Sequence, residues 1–488
     1  NLEINSIPSK NHEFVITNQI VMGNEEYLNN YELKFTPTGC RLNLVPESFV
    51  YSHAPKLNFV FDVDADSFSL DAGSSIPGKD FIEGSLLIIK ASGKSVSLYI
   101  GGALEKETVI KKDLDFNTER RSFEQFYHQN IDRFSVEIAK SNPEFTSIDS
   151  LNYLVPWYSH NALIHYISPH GFEQYGGAAW GTRDVCQGPF EHYLSFGNFE
   201  VSRRILIDVF RHQFQETGTW PQWFMFDRYY KIQAHESHGD VIVWPLMALG
   251  KYLKSSGDLD ILEQKICFTS ITNSEFTNCQ DTLINHVESM INSVTTNVMK
   301  GTALSLYGGG DWDDTLQPAN KTFKEKMVSG WTTALTYEAF KIYADSINNK
   351  YPEQAKRIDD FAERIKQDYH KYIIKDGIPA GFIYFGDEKI RYIIHPQDEE
   401  TKMKYRLLPF NRCIISELAT KEEALKYREI INEHLLFPDG VRLMNRTVEY
   451  RGGLNSYFTR AETAANFGRE IGLQYVHAHI RYLEAMGH

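Results

Sequence analysis

The sequence predicts a multidomain fold: an N-terminal antiparallel β-sandwich, then an (α/α)6 barrel, which is a toroid of helical hairpins. Three observations predict it. Residues 1–118 hold short runs of alternating apolar and polar residues, broken by Gly, Asn and Pro. From about residue 150 the apolar residues recur at helical spacing. Long loops rich in Gly, Trp, His and acid separate those helical segments, as happens when hairpins gather their connections at one mouth.

In the first part, HEFVITNQIVMG (12–23), KLNFVFDVDAD (56–66), SLLIIKASG (85–93) and SVSLYIGG (95–102) read as sandwich strands. ERRSFEQFYHQNIDRFSVEIAK (119–140) is charged and reads as a helical connector, so a linker is expected over 119–150. The barrel is expected over 151–488. Its helices are predicted at 151–167, 201–214, 240–254, 281–294, 330–347, 355–374, 421–436 and the C-terminal segment, with shorter ones at 190–197 and 411–418. That is roughly ten helices, where six hairpins need twelve. The chain opens NLEINSIPSK without Met and closes on an apolar-periodic helix, GLQYVHAHIRYLEAMGH. A piece of a longer polypeptide, with the barrel incomplete at its C-terminus, is therefore expected.

Composition removes several function classes. The 488 residues are 42% hydrophobic and 13% aromatic, enough for a substantial core. A net charge of −14 argues against nucleic acid, whose phosphates need a basic face. The five cysteines are scattered and none has zinc spacing, so thiols in a reducing, cytoplasmic setting are expected. No run of about 18 apolar residues proposes a membrane span, and no secretory signal pattern opens the chain.

Four segments carry the chemistry. EQYGGAAWGTRDVCQGPFEH (173–192) holds Trp180, Arg183, Asp184 and Gln187. TGTWPQWFMFDRYYKIQAHESHGDVIVWP (217–245) holds Trp220, Trp223, His235, Glu236, His238, Asp240 and Trp244. YGGGDWDDTLQP (307–318) sets Trp312 among Asp311, Asp313 and Asp314, and FGREIGLQYVHAHIRY (467–482) holds Arg469, Glu470, His477 and His479. A sugar has apolar C–H faces and a rim of hydroxyls, so its site wants flat aromatics beside carboxylates and guanidinium groups. Trp220, Trp223 and Trp244 are expected in the core. Trp180 and Trp312 lie in Gly-rich polar loops, where a sugar platform is the sharper reading.

A metal is not expected. HESH spaces its histidines by three and lacks the HExxH form, and GGGDWDDTLQP lacks the closing bidentate Glu of a calcium loop. His477 and His479 face different ways on a helix, so one could meet a ligand while the other packs. Three crowded acids raise one another's pKa. A carboxyl group kept protonated near neutral pH is what a general acid needs to protonate a leaving oxygen.

These motifs resemble those of glycoside hydrolase family 94, the inverting glycoside phosphorylases. GGGDWDD is similar to that family's G-x-DWND signature, with Asp313 in place of Asn, and WGTRDVCQG is similar to its G-[FY]-RDxxQD, with Gly188 in place of the second Asp. GREIGLQYVHAHIRYLEAM resembles the family's sugar and phosphate segment; HESHGD and FPDGVRLMNR resemble its 1,2-β-oligoglucan branch. The resemblance implies Asp314 as general acid and His477 as a phosphate contact. It implies sugar contacts from Trp312, Arg183, Asp184, Gln187, Asp240, Glu236, Arg469, Glu470 and Asp311. It implies reversible, inverting phosphorolysis of a β-1,2-glucan to α-glucose 1-phosphate. Asp314 would protonate the glycosidic oxygen directly or through a substrate hydroxyl. Partners would be an oligosaccharide and inorganic phosphate, with no cofactor, and a homodimer is possible on family grounds. Two alternatives stand beside it: an inverting β-glucan hydrolase with Glu236, Asp240 or Glu462 as base, and an inactive oligosaccharide-binding fragment.

Overall fold

The computed structural model describes residues 2–5, 11–20, 31–48, 50–52, 54–72, 86–110, 115–167, 179–226, 229–387, 389–448, 456–460, 462 and 475–488. The chain divides into two compact units, Asn1–Gln129 and Asn130–His488.

The first unit is built from antiparallel strands: β1 (Leu2–Asn5), β2 (His12–Gln19), β3 (Tyr31–Thr36), β4 (Gly39–Leu44), β5 (Asn58–Asp64), β6 (Ser67–Ala72), β7 (Leu86–Gly93) and β8 (Ser95–Ala103). They form a five-stranded sheet in the order β1-β8-β5-β4-β3 and a three-stranded sheet in the order β2-β7-β6. Alternation drives the layering, since period-two residues share one face. Cys40, Leu42, Phe61, Val63, Val96 and Leu98 come from the larger sheet and Leu87, Ile89 and Ala91 from the smaller, and all are buried in one apolar core. Gly39 starts β4 where a Cβ would lie 1.8 Å from the Phe61 carbonyl oxygen, so no other residue fits that approach.

Helix α1 (Phe116–Asn130) ends the connector early; residues 131–144 hold no helix, and α2 begins only at Phe145 and runs to Ile167. The second unit then adds α3 (Thr182–Val185), α4 (Gly188–Ser195), α5 (Phe199–Arg211), α6 (Trp244–Ser256), α7 (Leu283–Thr296) and α8 (Lys321–Lys326). It continues with α9 (Gly330–Ile347), α10 (Pro352–Asp368), α11 (Leu407–Ile415), α12 (Lys421–His434) and α13 (Val476–Gly487). α9 is buried along almost its whole length because α6, α10 and α11 all pack on it. α4, α6, α9, α11 and α13 are successive neighbours, and α5, α10 and α12 pack against them. α12 starts with a capping box, the Thr420 and Glu423 side chains satisfying each other's backbone amides.

The second unit is less purely helical than its sequence predicts. Among the described residues, two longer antiparallel pieces interrupt it, Lys265–Thr269 with Phe276–Thr282, and Met327–Ser329 with Phe382–Phe385 and Ile390–Ile393, beside three pairs of two-residue strands. These strands are short, and several have burial that does not alternate, so no period-two pattern marks them. Among the described residues no helix is long and apolar enough to cross a membrane.

Candidate active site

Three loop segments cross at one place. Trp180–Gly181 pairs antiparallel with Trp223–Phe224, which carries α3 and Arg183 into the crossing. The Thr182 amide and hydroxyl donate to the carbonyls of Gln222 (3.0 Å) and Pro221 (2.6 Å). The Gly239 amide donates to the Gly310 carbonyl at 2.8 Å, and a Cβ on Gly239 would lie 2.6 Å from the Tyr307 carbonyl oxygen. Gly308 and Gly310 have φ of 60° and 137°, values that L side chains rarely adopt. The glycines of YGGGD therefore allow close backbone crossing; they do not lend slack. The Tyr307 hydroxyl donates to the Leu316 carbonyl at 2.6 Å and ties off the loop.

The three acids separate completely. Asp311 is fully buried; both its oxygens meet Arg406 Nη2 (2.8 and 2.9 Å), and Ser329 Oγ and the Asp313 amide donate to it at 2.8 and 3.1 Å. Asp313 is buried, and its Oδ1 accepts from the Thr315 amide at 3.2 Å, capping the short turn Asp314–Leu316. Asn caps as well as Asp, so the departure from DWND costs this cap nothing. Only Asp314 reaches solvent, with 36% of its side chain exposed.

Asp314 faces two guanidinium groups and an imidazole. Its Oδ1 accepts from Arg183 Nη2 at 2.8 Å and lies 3.2 Å from His238 Nδ1, while Oδ2 lies 3.7 Å from Arg460 Nη1. Burial alone would raise this carboxyl, but the hydrogen bonds from His238 and Arg183 outweigh it and hold Asp314 below the usual carboxylate range. The expectation that crowding raises its pKa is thus overturned. Asp311 and Asp313 spend their charge elsewhere, and the nearest charges to Asp314 are positive.

Arg183 is the hub. Besides Asp314 it meets Asp240 Oδ1 at 3.3 Å and the Asp311 carbonyl at 3.1 Å. Asp240 is fully buried, and its Oδ2 accepts from Trp244 Nε1 at 3.0 Å. Burial pushes the Asp240 carboxyl up, against the pull of Arg183. Asp240 and Asp311 are corrected accordingly: neither can touch a sugar hydroxyl, since each is sealed from solvent and saturated by buried partners. They orient Arg183 and the acid loop.

The two aromatic platforms are also corrected. Trp180 is buried against Tyr166, Phe224 and Phe226, and its Nε1 donates to the His165 carbonyl at 3.3 Å. Trp312 is only 8% exposed, its ring met edge-on by Tyr475 and His477. Gly-rich flanks made both look like surface residues; here they let an aromatic sink between chains. Trp220 and Trp244 are buried as the sequence predicts, with Trp220 Nε1 donating to the Val209 carbonyl at 2.8 Å, whereas Trp223 is only half-buried.

A cavity of about 550 Å³ lies beside Trp312, lined by Asp184, Gln187, Gly188, His165, Tyr475 and His477, with Asn161 and Ile164. Gln187 is nearly buried: its amide donates to the Arg183 carbonyl at 3.1 Å and its Oε1 lies 3.4 Å from Arg481 Nη2. Burial, helped by Arg481, holds His477 down at about 4, so its ring is neutral at neutral pH. Its neighbour His479 instead takes a hydrogen bond from the Val441 amide at 3.2 Å. Behind them Arg481 pairs with Glu191 and Glu484, both at 2.7 Å, and Lys251 also reaches Glu191 at 2.8 Å. Glu236 is exposed, and the adjacent His235 bonds Ser274 Oγ at 2.7 Å. Arg469 and Glu470 lie outside the described residues.

The profile of the Glycosyl hydrolase 94 superfamily catalytic domain matches residues 146–480. The chain belongs to that superfamily. Residues 1–100 match the Glycoside phosphorylase supersandwich domain. A 1,2-beta-oligoglucan phosphorylase of Listeria innocua serovar 6a is 43% identical over 99% of this chain, which covers 44% of that protein. The chain thus spans less than half the length of that relative. Solved structures with similarity include a bacterial glucoamylase complexed with acarbose (10% identity, 83% of this chain and 60% of that one, TM-score 0.44). Another is a rhamnosidase from Klebsiella oxytoca (9% identity, 86% and 80%, TM-score 0.39).

Sequence reasoning missed Arg406, Gln317, Arg460 and Arg481. Arg406 and Arg481 are long cations in apolar-periodic stretches, where a buried partner must exist. That was a usable signal for burial, though not for which acid each would meet. His238 was weighed only as a metal ligand, because HESHGD does not reveal that its ring turns toward Asp314.

Proposed function

We propose that this chain carries the acid side of an inverting phosphorolysis: β-1,2-linked gluco-oligosaccharide plus inorganic phosphate give α-glucose 1-phosphate, reversibly. The second unit is read as part of an (α/α)6 barrel, and the first as its β-sandwich. The observation that carries the proposal is Asp314, which alone of the three acids of its loop reaches solvent, aimed by Arg183 and His238. The relative named as a 1,2-beta-oligoglucan phosphorylase supports the substrate class.

Asp314 is ionised when Arg183 rests on it, and a general acid must hold a proton. Arg183 is therefore given two partners in turn. When a sugar hydroxyl takes up the guanidinium, its charge leaves Asp314 and the carboxyl can accept the proton it will pass on, directly or through a substrate hydroxyl. Asp184 and Gln187 line the cavity into which hydroxyls would project. Phosphate, attacking from the opposite face, arrives already anionic and needs donors rather than a base. A neutral His477 ring supplies such a donor.

A hydrolase would need a second carboxylate to activate water. Asp240 is sealed against Arg183 and Trp244, and Glu462 is buried accepting from the backbone amides of Ser456, Tyr457 and Phe458. Glu236 alone of the three is exposed. The test is sugar release from β-1,2-gluco-oligosaccharides with and without inorganic phosphate. Glucose 1-phosphate formed only with phosphate is expected; free glucose released without it would replace phosphorolysis by hydrolysis and make Glu236 the base to mutate.

A further inference from the structure

We infer that His238, held by Gln317, is a positioning residue for the acid: a neutral imidazole whose Nδ1–H stays on Asp314 through the protonation cycle, the step for which Arg183 is unsuited. The inference rests on the reading of Asp314 as general acid. It comes from how the ring is wedged. Nδ1 lies 3.0 Å from the Asp311 carbonyl oxygen and 3.2 Å from Asp314 Oδ1. Both are acceptors, so Nδ1 must carry hydrogen. Arg183 Nη1, 3.4 Å from the same nitrogen, is then a donor facing a donor and contributes no bond there. On the far side Nε2 lies 2.9 Å from Gln317 Nε2. An amide N–H aimed at Nε2 requires a lone pair on it, so the ring is neutral.

The ring cannot swing away. The His238 amide donates to Gln222 Oε1 at 2.9 Å, and its backbone bridges Gly308. A Cβ on Gly310 would stand 3.6 Å from the imidazole, so the glycine loop closes over it. The main chain of Gln317 is anchored in turn, its backbone carbonyl accepting from the Thr459 amide at 2.9 Å. The charged groups facing this ring and its carboxylate are Arg183 on α3, Asp240 before α6, Asp311, Asp313 and Asp314 on the acid loop, and Arg460 beyond it.

The chemical consequence follows from charge. A guanidinium stabilises a carboxylate and so opposes its protonation. A neutral N–H also donates more strongly to a carboxylate than to the carbonyl oxygen of a carboxylic acid, but it carries no full charge and can keep its bond to that oxygen in both states. With His238 on Oδ1, the proton is directed to Oδ2, the oxygen facing Arg460 and away from the wedge. The ring thus fixes which oxygen carries the proton without adding the charge that would expel it. Gln317 is the tuning residue, because it denies Nε2 a second proton.

Two measurements test this. The first needs no turnover: imidazole 15N shifts of the chain at pH 7, with the His238 signals identified by their loss in H238Q. A neutral Nδ1–H ring is expected; an imidazolium, or an Nε2–H tautomer, overturns the inference. The second is the pH dependence of phosphorolysis. Q317E offers Nε2 an acceptor, so the ring takes a second proton and its charge opposes protonation of Asp314. The high-pH limb of kcat should then move down by about one unit or more, with KM nearly unchanged. H238N, whose amide nitrogen stands near the Nδ1 position, should retain at least tenfold more kcat than H238A. An unmoved limb in folded Q317E, or equal kcat in the two His238 variants, overturns it. D314N, lacking the proton, is the inactive reference. If no phosphorolysis is found, the proposed function fails, while the 15N result still decides the wedge.

Discussion

Asp311→Asn separates a sugar-binding role from a structural one. Asp311 lies at the bottom of the acid loop with no solvent access, and Arg406 opposite it is equally sealed. The Arg406 guanidinium also lies over the Phe382 ring, 4.6 Å from its centroid, and Asp311 is the carboxylate paired with it, with Asp313 adding a weaker attraction. In the Asn variant one acceptor oxygen becomes an NH2. That NH2 must face either the Asp313 amide and Arg406, or the Ser329 hydroxyl and Arg406, and in both cases a donor meets a donor. Removing one partner of a buried ion pair costs about 3–5 kcal/mol, because the other charge is left uncompensated. Against a total stability of about 5–15 kcal/mol this is a large fraction. Urea unfolding should report it as a lower midpoint at unchanged slope. Replacing both partners, as D311L with R406M, should recover a large part of the loss, since an apolar pair leaves no orphaned charge. If D311N unfolds within about 0.5 kcal/mol of the parent, the range of an ordinary surface change, while sugar affinity collapses, Asp311 touches the ligand and the burial argument is wrong.

Three further substitutions test neighbouring claims. Asp313→Asn should leave stability within about 0.5 kcal/mol, as both residues cap the Asp314–Leu316 turn; a large loss in urea unfolding would give the Asp313 charge a role beyond the cap. Gly239→Ala should destabilise by about 1–3 kcal/mol and lower kcat, because its Cβ would meet the Tyr307 carbonyl oxygen at 2.6 Å; a wild-type melting temperature would refute the close crossing. His286 is buried between Gln213 and Phe268, and burial lowers it to about 4. Its folded value lies below the ordinary 6.5, so the stability it contributes is complete above about 6.5 and is lost as pH falls toward 4. H286Q should flatten the acid side of the stability profile between those values, and an unchanged slope would mean the ring is not held neutral.

What was legible in the sequence was whatever periodicity or a motif encodes locally. The helix 330–347 was located to the residue, and the strands around 58–64, 86–93 and 95–103 were found because alternation on a half-buried sheet is a property of consecutive residues. The strands at 265–282 and 382–393 were not, because their burial is set by what packs on them. The acid loop divides the same way. GGGDWDD marked the loop, and with TRD and HESHGD it named the segments that meet. It did not disclose that Asp311 would turn inward to Arg406, a residue 95 positions away, or that Asp313 would fold back on its own turn. Three adjacent acids look equivalent when counted and become inequivalent only when each finds its donor. From charge density alone, crowding had to raise the pKa of the acid; from the geometry, one crowded charge is spent on Arg406 and Arg183 takes the remaining exposed one. The direction of that shift is therefore a property of three loops meeting, and no single stretch of the chain could carry it. The same holds for His238: its tautomer depends on Asp311, Asp314 and Gln317 together. A neutral wedge and a charged clamp on Asp314 differ only in whether Nε2 holds a hydrogen as well as Nδ1.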